Sequence, residues 1–266
     1  MNNRENIQKL KTKVIENNGV LPYINLDSDG KYAGWVKDFH IVNKETGISM
    51  SLDLHEEQDL FVLFAMASCW SRPGQWENSA CFAVYLKMAK KDDYSLWLNS
   101  SFVEIEKANR KVSTQNVLDA YSMVKPGKKV SFRSDFYDSM YVLAKNWKNI
   151  LSALELAEEN NDFLSFAYYM SQIQWLSYGN KTMKIKIPLL LRELRIQKIY
   201  NNIPGELCCV PDERVKSAAK DSAFNLKLKY GATLDIVLEN SKRIYQEFGD
   251  LYDIALFAYD DLKFNW

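Results

Sequence analysis

Residues 36–54 alternate between apolar and polar positions, as a β-strand does when one of its faces is buried. The apolar members of this stretch are Phe39, Ile41, Ile48, Met50 and Leu52. Between them lies the polar segment 43–47, which ends on Gly47 and is typical of a turn. The pattern predicts one small β-hairpin, and no other part of the chain indicates a sheet.

From Glu56 onward the apolar positions recur every three or four residues, which is the period of a helix with one buried face. The first such face consists of Leu60, Leu63, Phe64 and Ala67. Ser134 is the expected N-cap of a helix that runs to about Glu159, with a break near Asn149. Asp162 is the expected N-cap of the helix that follows.

Further helices are predicted over residues 182–200, 211–222, 232–248 and 251–263. Pro188 lies inside the first of them, so it should either kink that helix or move its start. Gly231 and Gly249 are the expected breaks between the later ones. The fold class is therefore mainly α.

No repeat, low-complexity tract or long linker divides the sequence. We therefore expect an N-terminal segment, residues 1–55, that carries the possible β-hairpin and packs on a helical body. That body is expected to cover residues 56–266.

The composition is that of an ordinary globular protein, with 266 residues of which 47% are hydrophobic and 26% are charged. No apolar run approaches the roughly 20 residues that are needed to span a bilayer. The first residues lack the basic and then apolar layout of a signal peptide. A cytoplasmic protein is the expectation.

The cysteines and histidines do not form a pattern that binds metal or pairs into disulfides. The four cysteines are Cys69, Cys81, Cys208 and Cys209, and neighbours such as the last two rarely bridge each other. Reduced thiols are therefore expected. The two histidines, His40 and His55, are too few to indicate a zinc site.

The formal charge of the chain is zero, but the charges are unevenly distributed. Residues 170–230 contain eleven Lys and Arg against five Asp and Glu, whereas residues 231–266 contain three against seven. If the protein binds a nucleic acid, this positive segment is the part that would contact its phosphate backbone. A solvated helix face is the alternative interpretation of the same residues.

Two short motifs lie in or beside this positive segment. The first is Tyr178-Gly179-Asn180-Lys181-Thr182-Met183, a polar turn that opens an apolar helix on a lysine. The second is Val210-Pro211-Asp212-Glu213-Arg214-Val215, a helix start that carries an aspartate thirty-one residues after that lysine. Together they resemble the helix-hairpin-helix DNA glycosylase superfamily, and the long connection resembles its archaeal 8-oxoguanine DNA glycosylase branch.

The resemblance implies a two-lobed helical glycosylase fold, with the helix-hairpin-helix at about residues 163–200. It also implies base-excision repair: removal of oxidised guanine from damaged double-stranded DNA, followed by apurinic or apyrimidinic lyase cleavage. Many lyase-active members carry an iron–sulfur loop after the catalytic helices, but no cysteine follows Asp212 here. No cluster and no other cofactor are therefore expected, and the protein is expected to be a monomer.

In this family pattern Lys181 is the nucleophile and Asp212 is its partner. An amine attacks only when it is unprotonated, so Lys181 is expected to be partly buried at a helix N-terminus, where burial and the helix dipole lower the pKa of an amine. Attack on the sugar gives a Schiff base, from which strand cleavage follows by elimination. An ionised Asp212 would stabilise positive charge on the sugar, provided that both side chains meet in one cleft.

The resemblance assigns further residues to substrate contacts. Tyr178, Gly179, Asn180 and Lys184 are expected to contact the DNA backbone, although Gly179 stands alone where the superfamily hairpin carries two glycines. Trp76, Asp253 and Phe257 are expected in the base pocket, where aromatic rings would sandwich a flipped purine.

Two other readings of the same residues remain open. A nucleotide N-glycosidase of the queuosine-salvage type would keep the fold and the aspartate but would need neither a basic surface nor a nucleophilic lysine. In a non-enzymatic helical interaction protein, Asp212 would be only an N-cap, Lys181 only a surface lysine, and the aromatic residues only core.

Overall fold

The computed structural model describes residues 3–21, 23–34, 41–42, 49–50, 52–69, 86–87, 94–118, 134–173 and 179–263. For residues 41–42, 49–50, 69, 94, 110–118, 134–135 and 179–183 the description covers the backbone only. Within these ranges the chain is mainly α-helical, as the hydrophobic pattern predicts.

The helices are α1 (Asn3–Glu16), α2 (Glu57–Cys69), α3 (Ser100–Leu118), α4 (Ser134–Asn160), α5 (Phe163–Gln172), α6 (Gly179–Ile196), α7 (Glu213–Ala219), α8 (Leu234–Phe248) and α9 (Ile254–Ala258). Short 3-10 turns span Tyr94–Leu98, Gly205–Leu207 and Gly249–Leu251. The strands are β1 (Ile41–Val42) and β2 (Ser49–Met50), which pair antiparallel with Ile41 opposite Met50. The predicted strand pairing is thus confirmed, while its turn at residues 43–48 lies outside the described residues.

The chain divides into two compact units. Residues 36–183 form one of them, which we call the central unit, and residues 1–35 together with 184–266 form the other, which we call the terminal unit. The terminal unit therefore combines both ends of the sequence. The segment boundary expected near residue 55 lies within the central unit.

In the central unit α2 is buried on every side, not on one face as its spacing predicts. Each residue from Leu60 to Ser68 is buried. The helix packs against α4, where the Trp147 ring meets Phe61 and Phe64 edge to face at 5.1 and 5.2 Å between ring centroids. Edge-to-face pairs of this kind add to the burial of the rings.

The helix α4 runs through Asn149 without the break that was expected there. Asn149 is exposed, and the buried stripe that includes Trp147, Ile150 and Leu154 continues on both sides of it. Packing of that stripe outweighs the weak helix propensity of one solvated asparagine. The next expectation is confirmed, since the Asp162 side chain caps α5 by accepting the Ser165 N–H at 3.0 Å.

In the terminal unit the N-terminal residues pack on the C-terminal helices. The helix α1 contacts α8 and α9, and α7 packs against α9. Asn6 Nδ2 donates to the Ala223 carbonyl at 2.9 Å, and the Tyr32 N–H donates to the Asp250 carbonyl at 3.0 Å. These bonds fasten the first thirty-four residues to the part of the chain that carries Asp212.

The helix α6 begins earlier and ends earlier than the predicted 182–200, with Pro188 in its interior. Proline has no N–H, so one backbone hydrogen bond of the helix is lost. The helix continues because its flanking residues are buried. Those residues are Ile187, Leu189, Leu190, Leu191 and Leu194.

The predicted break at Gly249 is confirmed, because Gly249 ends α8 with φ 53°. A positive φ of this size is one that glycine adopts without strain.

Within the described ranges, none of the helices has both the length and the apolar content that crossing a membrane requires.

Candidate functional site

Lys181 lies in the first turn of α6, at the position where the sequence predicts a lysine that opens a helix. Gly179 and Asn180 have helical backbone, so these two residues belong to α6 and not to the polar turn that the sequence predicts. Tyr178 lies outside the described residues. The expected DNA-backbone contacts of these residues stay predictions.

Asp212 is the N-cap of α7. Its Oδ1 accepts the Val215 N–H at 2.8 Å, and its backbone is extended, with φ −71° and ψ 178°. The helix thus starts at Glu213, two residues later than predicted, because Asp212 satisfies one of the free N–H groups of its first turn.

The environment of Asp212 disfavours its ionised form. Burial raises the pKa of the carboxyl above its ordinary value, and the nearby negative charge of Asp253 adds to this effect. The Val215 N–H acts in the opposite direction but does not cancel it. A half-buried carboxylate with a raised pKa can stabilise a developing positive charge and can also accept or donate a proton.

Asp253 lies immediately before α9 and is 4% exposed. Its Oδ1 accepts two hydrogen bonds, from Arg192 Nη1 at 2.7 Å and from the Val210 N–H at 2.8 Å. The residue that was expected in the base pocket is therefore buried and bonded to the chain segment that leads to Asp212.

Arg192 carries the balancing positive charge and is 3% exposed. Burial alone would favour its neutral form, but the carboxylate of Asp253 reverses the balance and raises the pKa of Arg192. The guanidinium carbon lies 5.0 Å from the Tyr32 ring centroid, and Nε lies 3.7 Å from Glu193 Oε1. The buried pair is thus enclosed by a cation–π contact and a second acid.

Phe257 is half-buried, and its ring is already in contact with two other groups. The Arg214 guanidinium carbon lies 4.4 Å from its ring centroid, and the Tyr23 ring meets it edge to face at 5.0 Å. Asp261 joins this cluster by pairing with Arg214 and by accepting the Tyr23 hydroxyl. Arg214 and Tyr23 were missed as neighbours of the predicted pocket residue.

The sequence indicates that Arg214 lies near the predicted site, because Arg214 follows Asp212 by two residues in the first turn of the same helix. Tyr23 carried no such signal, since only the packing of the terminal unit brings it to Phe257. Trp76, the other predicted pocket aromatic, lies outside the described residues.

The positive excess of residues 170–230 is partly offset by the acidic residues that follow it, which pair with four of its eleven Lys and Arg residues. The pairs are Arg192 with Asp253, Arg195 with Asp250, Arg214 with Asp261, and Lys229 with Glu239. Lys184 is half-buried and makes no ion pair with any described residue. The surface offered to a phosphate backbone is therefore less positive than the count of charges along the sequence indicates.

Cys208 and Cys209 are free and fully buried in the segment just before Asp212. Burial raises the pKa of Cys208 to about 12 and raises that of Cys209 well above its ordinary value. Neither thiol is thus available as a thiolate nucleophile. Among the described residues, no group of three His, Cys, Asp or Glu side chains lies close enough to hold a metal ion.

A shallow concavity on the surface of α1 includes none of the predicted site residues. It is lined by Glu5, Gln8, Lys9, Thr12, Lys13, Glu16 and Asn17. A depression lined by flexible polar side chains of one helix lacks the apolar walls that ligand sites usually have, so we assign it no role.

No protein-family model, no curated protein and no solved structure matches this chain.

Proposed function

We propose that the protein is a DNA base-excision repair N-glycosylase with apurinic or apyrimidinic lyase activity, acting on oxidised guanine through Lys181 and Asp212. The proposal includes a two-lobed helix-hairpin-helix fold and a damaged double-stranded DNA partner. It rests on the two sequence motifs and on the environment of Asp212.

Asp212 is the observation that carries the proposal. A carboxylate that serves only as an N-cap is usually solvated, because solvent and the helix dipole both favour its charge. Asp212 is instead half-buried beside the negative charge of Asp253, and burial raises its pKa. Perturbed carboxyl groups of this kind are more frequent at functional sites than elsewhere.

The proposed reaction begins with attack of the neutral Lys181 amine on C1′ of the damaged nucleotide. The base leaves with the electron pair of the C–N bond and takes up a proton, while the amine nitrogen loses one. Asp212 stabilises the positive charge that develops on the sugar and relays protons. The amine nitrogen then forms a second bond to C1′ while the C1′–O4′ bond breaks and O4′ takes up a proton, which gives the Schiff base. Transfer of a C2′ proton to a general base then expels the 3′ phosphate with the electron pair of its C–O bond, which cleaves the strand.

Phe257 remains the proposed stacking partner for the extruded base. Its ring already contacts Arg214 and Tyr23. In this proposal the base either stacks on the ring face that Arg214 leaves open or displaces the guanidinium. Arg214 would then move with its partner Asp261, so the two side chains are part of the proposed pocket.

Borohydride trapping tests the proposal directly. A duplex that contains 8-oxoguanine is incubated with the protein and borohydride, which reduces a Schiff base to a stable amine. We expect a covalent adduct with the unchanged protein, none with Lys181→Gln, and a strongly reduced yield with Asp212→Asn. Lys198→Gln, which alters an exposed lysine two residues after the end of α6, is the matched control and should trap normally. Absence of an adduct with all oxidised, alkylated and deaminated bases would refute the proposal.

The ion pairs between the positive segment and acidic residues favour a second candidate function, that of a nucleotide N-glycosidase. A free nucleotide carries few phosphates, so its hydrolase does not need an extended basic surface. Arg192, Arg195, Arg214 and Lys229 are each paired with an acid, which fits a small anionic substrate better than it fits a duplex. In this version Asp212 activates water and Lys181 has no covalent role.

The two candidates differ in three measurable properties. The nucleotide hydrolase should release a free base from a nucleoside monophosphate, should leave damaged duplex uncut, and should retain activity in Lys181→Gln. Liquid chromatography of the released base distinguishes them. Activity on duplex that requires Lys181 would rule out the second candidate.

A further inference from the structure

We infer that Asp253 is a positioning residue, which holds the backbone of residues 210–212 so that the Asp212 carboxylate is directed at the substrate, with Arg192 as its buried counterion. The inference rests on the proposed function, because it concerns how Asp212 is placed for the reaction. It assigns Asp253 a role through the backbone and not through contact with a base.

The geometry that supports the inference is a short chain of bonds. Asp253 Oδ1 accepts the Val210 N–H at 2.8 Å, and the Val210 carbonyl accepts the Asp212 N–H at 3.0 Å. The Asp212 carbonyl in turn accepts the Lys216 N–H at 2.9 Å, inside α7. The segment is therefore fixed on one side by Asp253 and on the other by the helix that Asp212 caps.

A further hydrogen bond holds the same segment from α8. The Cys209 N–H donates to Ser241 Oγ at 2.8 Å, and Ser241 is fully buried on α8. Two consecutive backbone N–H groups, of Cys209 and Val210, are thus bonded to side chains of two different elements. These bonds restrict the backbone of residues 209–211, which lead to Asp212.

Burial argues against a direct role of Asp253 in binding a base. Only 4% of the residue is exposed, and Oδ1 already accepts two hydrogen bonds. Both lone-pair directions of Oδ1 are thus used by Arg192 and the Val210 N–H, which leaves this oxygen no capacity for a base edge.

Because Asp253 and Arg192 are both buried and charged, a test must substitute the two residues together. An unpaired charge in the interior strongly destabilises a protein, whereas an uncharged pair of similar shape is often tolerated. Removing either Asp253 or Arg192 alone would therefore confuse misfolding with loss of positioning. Variants that remove both charges at once avoid this difficulty.

The test compares two double variants that have the same charge and nearly the same shape. Arg192→Met with Asp253→Asn keeps a side-chain oxygen for the Val210 N–H, whereas Arg192→Met with Asp253→Leu removes it. Asp250→Asn is the control, because Asp250 pairs with Arg195 and makes no bond to residues 208–212. Urea unfolding and circular dichroism establish that each variant is folded.

Single-turnover cleavage of an 8-oxoguanine duplex is the readout. A small displacement of a reacting group can cost about 100-fold in rate, so we expect the Leu double variant to be at least about 10-fold slower than the Asn double variant, with similar duplex affinity. Asp250→Asn should be within about 2-fold of the unchanged protein, since surface pairs contribute little. Equal rates for the two double variants would overturn the inference.

The pH profile supplies a readout that a purely structural role would not move. Asp212 is faced by Asp253, whose charge raises its pKa, and by Arg214, whose charge lowers it. Removing the Asp253 charge in the Asn double variant should therefore move the acidic limb of the rate profile to lower pH. An unchanged limb would count against Asp253 acting on Asp212.

The outcome also separates this inference from the proposed function. An unchanged protein that neither cleaves nor traps any damaged duplex refutes the repair activity, and the positioning role in that reaction falls with it. An active protein whose two double variants behave alike refutes the positioning role only.

Discussion

Asp212 Oδ1 accepts the Val215 N–H at 2.8 Å, so one carboxyl group both caps α7 and stands in an environment that opposes its charge. The first property stabilises the helix, while the second costs stability. The two can be separated by substitution, because only the capping bond survives when the charge is removed.

Asp212→Asn should be at least as stable as the unchanged protein near neutral pH, whereas Asp212→Ala should lose about 1 kcal/mol. Asparagine keeps the capping oxygen and removes the buried charge, while alanine removes both. Because the folded-state pKa of Asp212 lies above its unfolded value, the free energy of unfolding falls as pH rises through the folded pKa. Urea unfolding over a pH series measures both effects, and the Asn variant should lack the pH-dependent fall.

Comparable losses of stability in both variants would contradict this prediction. They would mean that the charge itself stabilises α7, as an ordinary solvated N-cap does. In that case Asp212 would be an ordinary helix cap, and a catalytic role of its carboxylate would lose its main support.

Tyr23→Phe should lower stability above about pH 5 and make a smaller difference near pH 3. Burial acts to raise the pKa of Asp261, but the hydroxyl of Tyr23 and the guanidinium of Arg214 together lower it. Stability that comes from a lowered carboxyl pKa is present above the unfolded value and is lost as pH falls through the folded one. Urea unfolding at the two pH values tests the prediction.

The Asp261→Asn background is the control for this effect. There the Tyr23→Phe substitution should cost nearly the same at both pH values. A pH-independent cost in the natural background would show that the hydroxyl acts on something other than Asp261.

Gly205→Ala should destabilise the terminal unit by about 1–3 kcal/mol, as overpacking does. A Cβ at position 205 would lie 2.2 Å from Tyr245 Cζ, and the Tyr245 hydroxyl is held by Asp250 at 3.1 Å. Thermal unfolding of Gly205→Ala, Tyr245→Leu and the double variant measures the coupling. The double variant should be more stable than the sum of the two single losses predicts, and strict additivity would contradict the clash.

Glu239→Gln should strengthen binding to duplex DNA by a few-fold at low salt if the repair proposal holds. Glu239 pairs with Lys229 and Arg243, so its neutralisation leaves two exposed cations without their acid. The gain should disappear at high salt, because exposed charges are screened. Fluorescence anisotropy over a salt series is the measurement, and unchanged binding at every salt concentration would favour a nucleotide as the substrate.

Cys208 and Cys209 should resist alkylation in the native protein and react fully after denaturation. Both are buried, and burial raises the pKa of each thiol, to about 12 for Cys208. Peptide mass spectrometry after iodoacetamide treatment, with and without urea, reads out each residue. Rapid native labelling of either one would show that the segment before Asp212 opens frequently.

The features that the sequence predicted correctly depend on neighbours along the chain. The Asp162 cap involves Ser165, three residues away, and the break at Gly249 depends on the conformational freedom of one residue. The helical turn that carries Lys181 has the same local character. Helix caps and helix breaks can be predicted from the sequence because each depends on a few consecutive residues.

The features that it missed depend on distant parts of the chain. The spacing in α2 predicts one apolar face, but the helix packs against α4 and every residue from Leu60 to Ser68 is buried. Likewise the positive segment is basic by its charge count, but its arginines pair with acids up to sixty-one residues later, as Arg192 does with Asp253. Neither outcome can be read from periodicity or from charge counts.

The terminal unit has a consequence for biosynthesis. The buried side of α1, with Ile7, Leu10 and Val14, packs on α8 and α9, which are synthesised more than 200 residues later. At about 5–20 residues per second, that side remains uncovered on the nascent chain for on the order of ten seconds. We therefore expect α1 to be a contact point for chaperones during translation.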